Sequence, residues 1–186
     1  MIVKQFPLNV IEVNAHIAAC EQTHEAVLID AGDFDDRIVA YLRERALKLK
    51  TIFITHDHYD HVEGLAQFAD AFGAAIIAGT SPIGGCDARV VGHGDTIQVG
   101  AVCGRIYSTP GHTPIALCLY FPGHVFTGDA LFAGSVGGTS SQENYDMQIA
   151  AVREHILSLP PDTIVHPGHG PASTVAVERR FNPFFV

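Results

Sequence analysis

Short apolar runs broken by glycine, proline and acidic residues dominate the chain, and their periods set the expected elements. Residues 2–6, 10–17 and 26–29 are rich in β-branched side chains and of strand length, separated by Pro7-Leu8-Asn9 and the polar stretch 21–25. Asp30-Ala31-Gly32-Asp33 then turns the chain, and the period changes. Ile38, Val39, Leu42, Ala46 and Leu49 recur at helical spacing behind Asp35, a good N-cap, which predicts a helix over 35–50. A buried-type strand at 51–55 runs into His56-Asp57-His58-Tyr59-Asp60-His61, followed by a helix over 62–72 that stops at Gly73. The second half repeats this order, with strands at 75–78, 96–99, 102–108, 115–120 and 125–127. A glycine-rich stretch at 134–141, a helix over 144–159 ended by Pro160-Pro161, and a last strand at 163–166 complete it. No linker or low-complexity run interrupts residues 1–186. The pattern reads as one α/β domain of two sheets packed together with helices outside.

Composition narrows the function. A hydrophobic fraction of 47% with 17% charged residues excludes a disordered or coiled-coil chain. Twenty acidic residues against 11 basic ones give a net charge of −9, which argues against a nucleic-acid partner. The start lacks a continuous apolar segment and the apolar runs are far too short for a membrane span. Cys20, Cys86, Cys103 and Cys118 form no C-x-x-C pair, so four reduced thiols and a cytoplasmic location are expected. The unusual count is histidine, 11 residues scattered along the chain and therefore not a tag.

Those histidines concentrate at strand ends. His56-x-His58-x-Asp60-His61 opens a helix directly after a strand. Residues two apart in an extended turn project to one side, so His56 and His58 can grip one ion, while Asp60 and His61 point toward a second. Imidazole and carboxylate suit zinc, iron or manganese without any thiolate. Thr109-Pro-Gly-His112-Thr-Pro, Thr127-Gly-Asp129 and Pro167-Gly-His169-Gly-Pro each add one group on a loop stiffened by proline or glycine. Five histidines and two aspartates suffice for two ions if one carboxylate bridges, the arrangement used to activate water and polarise a substrate. His93 and His166 read as turn and structural histidines, and His16, His24, His124 and His155 as surface or strand-edge residues. Cys118 reads as core. Tyr145, Arg179 and Arg180 read as solvated surface. The apolar tail 181–186 either docks on the body or forms a homodimer contact.

In this order, Thr55-His56-x-His58-x-Asp60-His61, Thr109-Pro-Gly-His112, Gly128-Asp129 and Pro167-Gly-His169-Gly-Pro resemble the metallo-β-lactamase superfamily along essentially the whole chain. Gly128-Asp-Ala-Leu-Phe-Ala-Gly-Ser and the ending Glu178-Arg179…Asn182-Pro183-Phe184 are similar to its short glyoxalase II-like (hydroxyacylglutathione hydrolase-like) hydrolases. The resemblance implies an αββα sandwich of two mixed sheets with metals at one edge. It implies that His56, His58 and His112 hold one metal, that Asp60, His61 and His169 hold the other, and that Asp129 bridges. It further implies two divalent ions, zinc first and iron or manganese as alternatives. A bridging hydroxide would attack a small-molecule thioester such as S-lactoylglutathione, with Asp60 orienting it. Two departures stand out. Where short relatives carry Gly-Arg-Thr/Ser-Asp-Phe-Pro, this chain has Gly137-Gly138-Thr139-Ser140-Ser141-Gln142, and only a short tail follows His169 where glyoxalase II has a helical glutathione-binding domain. A persulfide dioxygenase, which in a related branch uses one iron at the equivalents of His58, His112 and Asp129, has the same ligand types. A lactonase or β-lactamase activity, or a non-catalytic metal-binding module, fits the pattern less well.

Overall fold

A computed structural model describes residues 1–186. Its first sheet has the order β1 (Ile2–Pro7), β2 (Asn14–Ala19), β3 (Glu25–Ile29), β4 (Lys48–Phe53), β5 (Ala75–Ala78) and β6 (Arg89–Val90). Its second runs β12 (Ser173–Thr174), β11 (Ile164–Pro167), β10 (His124–Gly128), β9 (Leu117–Phe121), β8 (Val102–Ser108) and β7 (Thr96–Val99). Both sheets are mixed: β3 to β6 and the β10–β11 pair are parallel, the rest antiparallel.

Alternation along the buried strands explains how the sheets stack. Val27, Ile29 and Phe53 point inward to meet Leu117, Leu119, Phe121 and Phe126 of the second sheet. Ala26, Leu28, Ile52 and Ile54 point the other way, under helices α1 (Asp36–Glu44) and α3 (Leu65–Phe72), whose Ile38, Leu42, Leu65 and Phe68 cover them. On the far side, Cys118, Val125 and Val165 are covered by Val152, Ile156 and Val175, from α4 (Gln142–Ala151), its π-helical continuation Val152–Ile156, and α5 (Val175–Phe181). Three apolar layers thus separate four layers of structure, the expected αββα sandwich.

Several expected boundaries shift, each for a local reason. The first helix ends at Glu44 rather than near residue 50 because Ala46 adopts a left-handed φ of 49°. Beyond it Leu47 and Leu49 are buried while Lys48 and Lys50 are exposed, the period of a strand. The expected strand over 10–17 starts only at Asn14, since residues 8–13 form a loop with Ile11 and Glu12 both at positive φ. The helix after His61 is two pieces, α2 (Tyr59–Val62) and α3, and the fourth begins at Gln142, capped by the Ser141 side chain, rather than at residue 144. The tail gains a helix, α5. Beyond it Phe185 docks in the core, while Phe181 at the end of α5 and Phe184 and Val186 after it remain exposed. No helix is long and apolar enough to cross a membrane.

Candidate metal centre

At one edge of the sandwich β3, β4, β10 and β11 end together. His56 follows β4, Asp60 and His61 occupy α2, Asp129 follows β10, His169 follows β11, and His112 lies in the turn between β8 and β9. All seven residues singled out in the sequence converge. The ligand atoms of His56, His58 and His112 lie within 4.8 Å of one another, and so do those of Asp60, His61 and His169. The Asp129 carboxylate stands between the two groups. Its Oδ2 is 3.5 Å from His112 Nε2 and 4.0 Å from His56 Nε2 on one side, and 3.6 Å from His169 Nε2 on the other. Its Oδ1 is 3.4 Å from His61 Nε2. Asp60 Oδ2 is 3.2 Å from His169 Nε2 and 3.7 Å from His61 Nε2.

Three of the imidazoles are held from behind, which decides which nitrogen faces inward. His61 Nδ1 donates to Asp30 Oδ2 at 2.8 Å, and His112 Nδ1 donates to the Gly138 carbonyl at 2.6 Å. The Thr55 hydroxyl donates to Asp30 Oδ2 at 2.9 Å and therefore accepts from His56 Nδ1 at 3.0 Å. Each ring is left with its Nε2 aimed at the centre. Asp30 is the residue sequence reasoning missed. It is buried, takes a left-handed φ of 58°, and also accepts from the Thr55 backbone N–H at 2.8 Å. Its one sequence signal was the feature that marked Asp129, an acid closing an apolar strand. A second unforeseen residue is Gln148 of α4, buried, whose amide donates to the carbonyls of Ala130 and Gly137 and so ties the Asp129 loop to the glycine-rich loop. That glycine-rich stretch, which departs from the family pattern, supplies the carbonyl that orients His112.

Space is as tight as the polar geometry. A Cβ on Gly168 would lie 2.2 Å from Asp129 Oδ1 and 2.8 Å from His61 Cε1, and one on Gly32 would lie 1.9 Å from the Asp60 carbonyl oxygen. Only glycine allows these loops to carry their ligands so close.

Electrostatics mark the cluster as built for cations. Burial opposes charge on His61, but the carboxylates of Asp30 and Asp129 outweigh it and raise its pKa to about 10. Burial likewise disfavours the Asp129 carboxylate, yet His61 beside it brings its pKa down to about 2. The two face each other without hydrogen-bond alignment, as charges rather than a shared proton: His61 Nε2 and Asp129 Oδ1 are both buried and unpartnered. Burial, reinforced by the crowded histidines, lowers His56 to about 2 and keeps it neutral, the form that ligates. The buried, unpartnered His61 Nε2 and Asp129 Oδ1 are what a bound divalent ion would satisfy.

The remaining histidines divide. His93 is exposed in its turn, as expected, with His155 and Tyr107 against it. His16 is not at the surface: it is buried between the sheets, edge-on to Phe126 and His166. His124 is half-buried and hydrogen-bonds through Nδ1 to His166 Nε2 at 3.0 Å, which places His166 in a histidine pair apart from the seven-residue cluster. Cys118 is core, its thiol pushed up to about 12 by burial. Arg179 is engaged rather than free, donating to the carbonyls of Leu157 and Leu159.

Comparison with known proteins agrees with this geometry. A hydroxyacylglutathione hydrolase of Polaromonas sp. is 34% identical over 83% of this chain, which spans 60% of that protein's length. Among solved structures, ETHE1 from Myxococcus xanthus superposes with a TM-score of 0.89 at 30% identity, covering 98% of this chain and 84% of that one. TTHA1623, solved in a di-iron-bound form, superposes with a TM-score of 0.81 at 29% identity, covering 97% and 99%. The family model of the metallo-beta-lactamase superfamily matches residues 10–83 and 87–169, a span that contains every histidine and aspartate of the cluster. By that match and by the sandwich whose strand ends gather these residues, the chain belongs to the metallo-β-lactamase superfamily.

Proposed function

We propose that the protein is a metal-dependent thioester hydrolase of glyoxalase II type. His56, His58 and His112 would hold one divalent ion, zinc by preference, and Asp60, His61 and His169 a second, with Asp129 facing both groups. The observation that carries the reading is the Asp129 carboxylate, which faces both groups at once. Ions bound there supply an acidified water and a Lewis acid for the thioester carbonyl. The chain's own residues do the rest. Thr55, Asp30 and the Gly138 carbonyl fix the ring orientations, so no reorganisation accompanies the reaction. Asp60, on the His169 side, orients the attacking water and takes up its proton. The leaving thiolate needs little protonation, because thiol pKa values lie near 8.5. Water and thioester go to carboxylic acid and thiol, with no external oxidant. Four free thiols accord with a reducing, cytoplasmic setting.

The test is thiol release from S-lactoylglutathione and other thioesters by metal-loaded protein. Asp60→Asn is expected to lower kcat at least about 100-fold as the loss of the group that orients the water, and Asp129→Asn by as much as the loss of the carboxylate that faces both ion sites. Near-wild-type turnover in metal-loaded Asp129→Asn excludes the assignment. The likeness to ETHE1 favours a second reading, a persulfide dioxygenase with one iron on His58, His112 and Asp129. Oxygen uptake with a persulfide substrate separates the two.

A further inference from the structure

The molecule's one cavity, about 220 Å³, lies beside the ligand cluster rather than over it, lined by Gln5, Pro7, Glu12, Asn14 and Gly170. Gly170 follows the ligand His169, and Val13, next to Glu12, forms an antiparallel bridge with His169. The cavity therefore shares a wall with a ligand-bearing loop.

Its hydrogen-bonding capacity is one-sided. The Asn14 amide spends both N–H groups on the carbonyls of Pro167 and Gly170, at 3.1 and 2.9 Å. The Gln5 amide spends its own on Asn14 Oδ1 and the Gly170 carbonyl, at 2.7 and 3.3 Å. The Pro7 carbonyl already accepts from Arg37 at 2.7 Å. The side-chain atoms left without a partner are the Glu12 carboxylate and Gln5 Oε1, and both are acceptors. The free side chains of the cavity therefore favour a ligand that brings donors.

Two further observations agree. Ile11 and Glu12 take φ values of 46° and 56°, consecutive left-handed non-glycine residues, and such strain gathers at binding loops. In addition, the segments that border the site, 8–14, 30–36, 55–64, 109–116, 129–145 and 167–174, contain no lysine or arginine. Arg37, which reaches the lining Pro7 carbonyl, is held by both oxygens of Asp35. A carboxylate or phosphate on the substrate would meet only this already paired guanidinium, while an ammonium or hydroxyl finds the unpaired Glu12.

Building on the thioesterase reading, we propose that this cavity is the subsite for a donor-bearing end of the thioester, an ammonium or hydroxyl group, with Glu12 as its specificity determinant. The enzyme discriminates against thioesters ending in carboxylate. Glutathione thioesters, with one ammonium and two carboxylates, are therefore only partly served.

The experiment uses S-acetyl thioesters of one five-carbon thiol ending in ammonium, hydroxyl or carboxylate, with metal-loaded wild type and Glu12→Gln. The ammonium ester is expected to exceed the carboxylate ester about fivefold in kcat/KM, as befits a partly exposed charge contact. That ratio falls toward one in Glu12→Gln and at high salt, and inverts in Glu12→Lys. Titration of wild type with ethanolammonium, followed by backbone amide shifts of Glu12, Asn14 and Gly170, reads the same site without turnover. Hydrolysis of all three esters at equal rates, or a ratio unmoved by Glu12→Gln, overturns the subsite and leaves the thioesterase intact. If no ester is hydrolysed, the thioesterase reading falls. Shifts lost in Glu12→Gln then still support a donor subsite, and their absence in wild type overturns it as well.

Discussion

Asp30→Asn probes the support of the metal centre without touching a ligand. Asn tolerates the left-handed backbone at position 30, so any effect belongs to the side chain. The carboxylate accepts three hydrogen bonds, from the Thr55 N–H, the Thr55 hydroxyl and His61 Nδ1, at 2.8, 2.9 and 2.8 Å. An amide keeps one acceptor for the Thr55 N–H and turns an NH2 toward the other two. His61 can meet that NH2 only by giving up its Nδ1 proton, which sends the proton to Nε2, the atom that should hold the ion. The lost charge-assisted bond costs about 1.5–3 kcal/mol of stability, and altered support of a ligand of this kind lowers metal affinity about 10–100-fold. Zinc titration against a competing chelator should show the weaker of two steps displaced by that factor. In metal-free protein the stability difference has a predictable pH dependence. Despite its burial, His61 has a pKa raised to about 10 by Asp30 and Asp129, so their stabilisation is complete below pH 6.5 and fades as pH rises through 10. The gap between wild type and Asp30→Asn should close over that window. Wild-type zinc affinity at both steps, with unchanged apo stability, would refute the argument.

Other predictions follow from the same contacts. Gly168→Ala places a methyl 2.2 Å from Asp129 Oδ1, and metal stoichiometry together with thioesterase activity should fall more than about tenfold by chelator competition and thiol release. Gln148→Leu keeps the volume but strips the donors from the Ala130 and Gly137 carbonyls, and chemical denaturation should show a loss of about 1–3 kcal/mol. His16 and His166 are held neutral, chiefly by burial and then by neighbouring histidines, with pKa values lowered to about 3 and about 4. The unfolded chain binds those protons from pH 6.5 downward, so stability should drop as pH falls from 6.5 toward 4, by about 1.4 kcal/mol per pH unit for each histidine. The slope should be shallower in His16→Gln by the share of one histidine, and equal slopes would contradict the burial account.

Much of this was legible from residue order. His56, His58, Asp60 and His61 sit close together in the chain, and the loops that bring His112, Asp129 and His169 to them each end an apolar strand. The sandwich followed from the alternation of strand and helix periods. What stayed hidden was whatever depends on facing. Leu49 fits a helical period counted from Ala46 and a strand period counted from Leu47, and the left-handed turn at Ala46 decides between them. His16 lies on a strand buried on both sides, where alternation does not say which face meets a second sheet. Asp30 and Gln148 act through partners distant in the chain, and no spacing encodes such a pairing.

Metal analysis of purified protein, run alongside thiol release and oxygen uptake on the same preparation, asks whether Asp129 stands between two ions in a hydrolase. The expected result is two divalent ions per chain, thiol release from a thioester and no oxygen consumption. One iron per chain, oxygen uptake with a persulfide and no thioester cleavage overturns that reading.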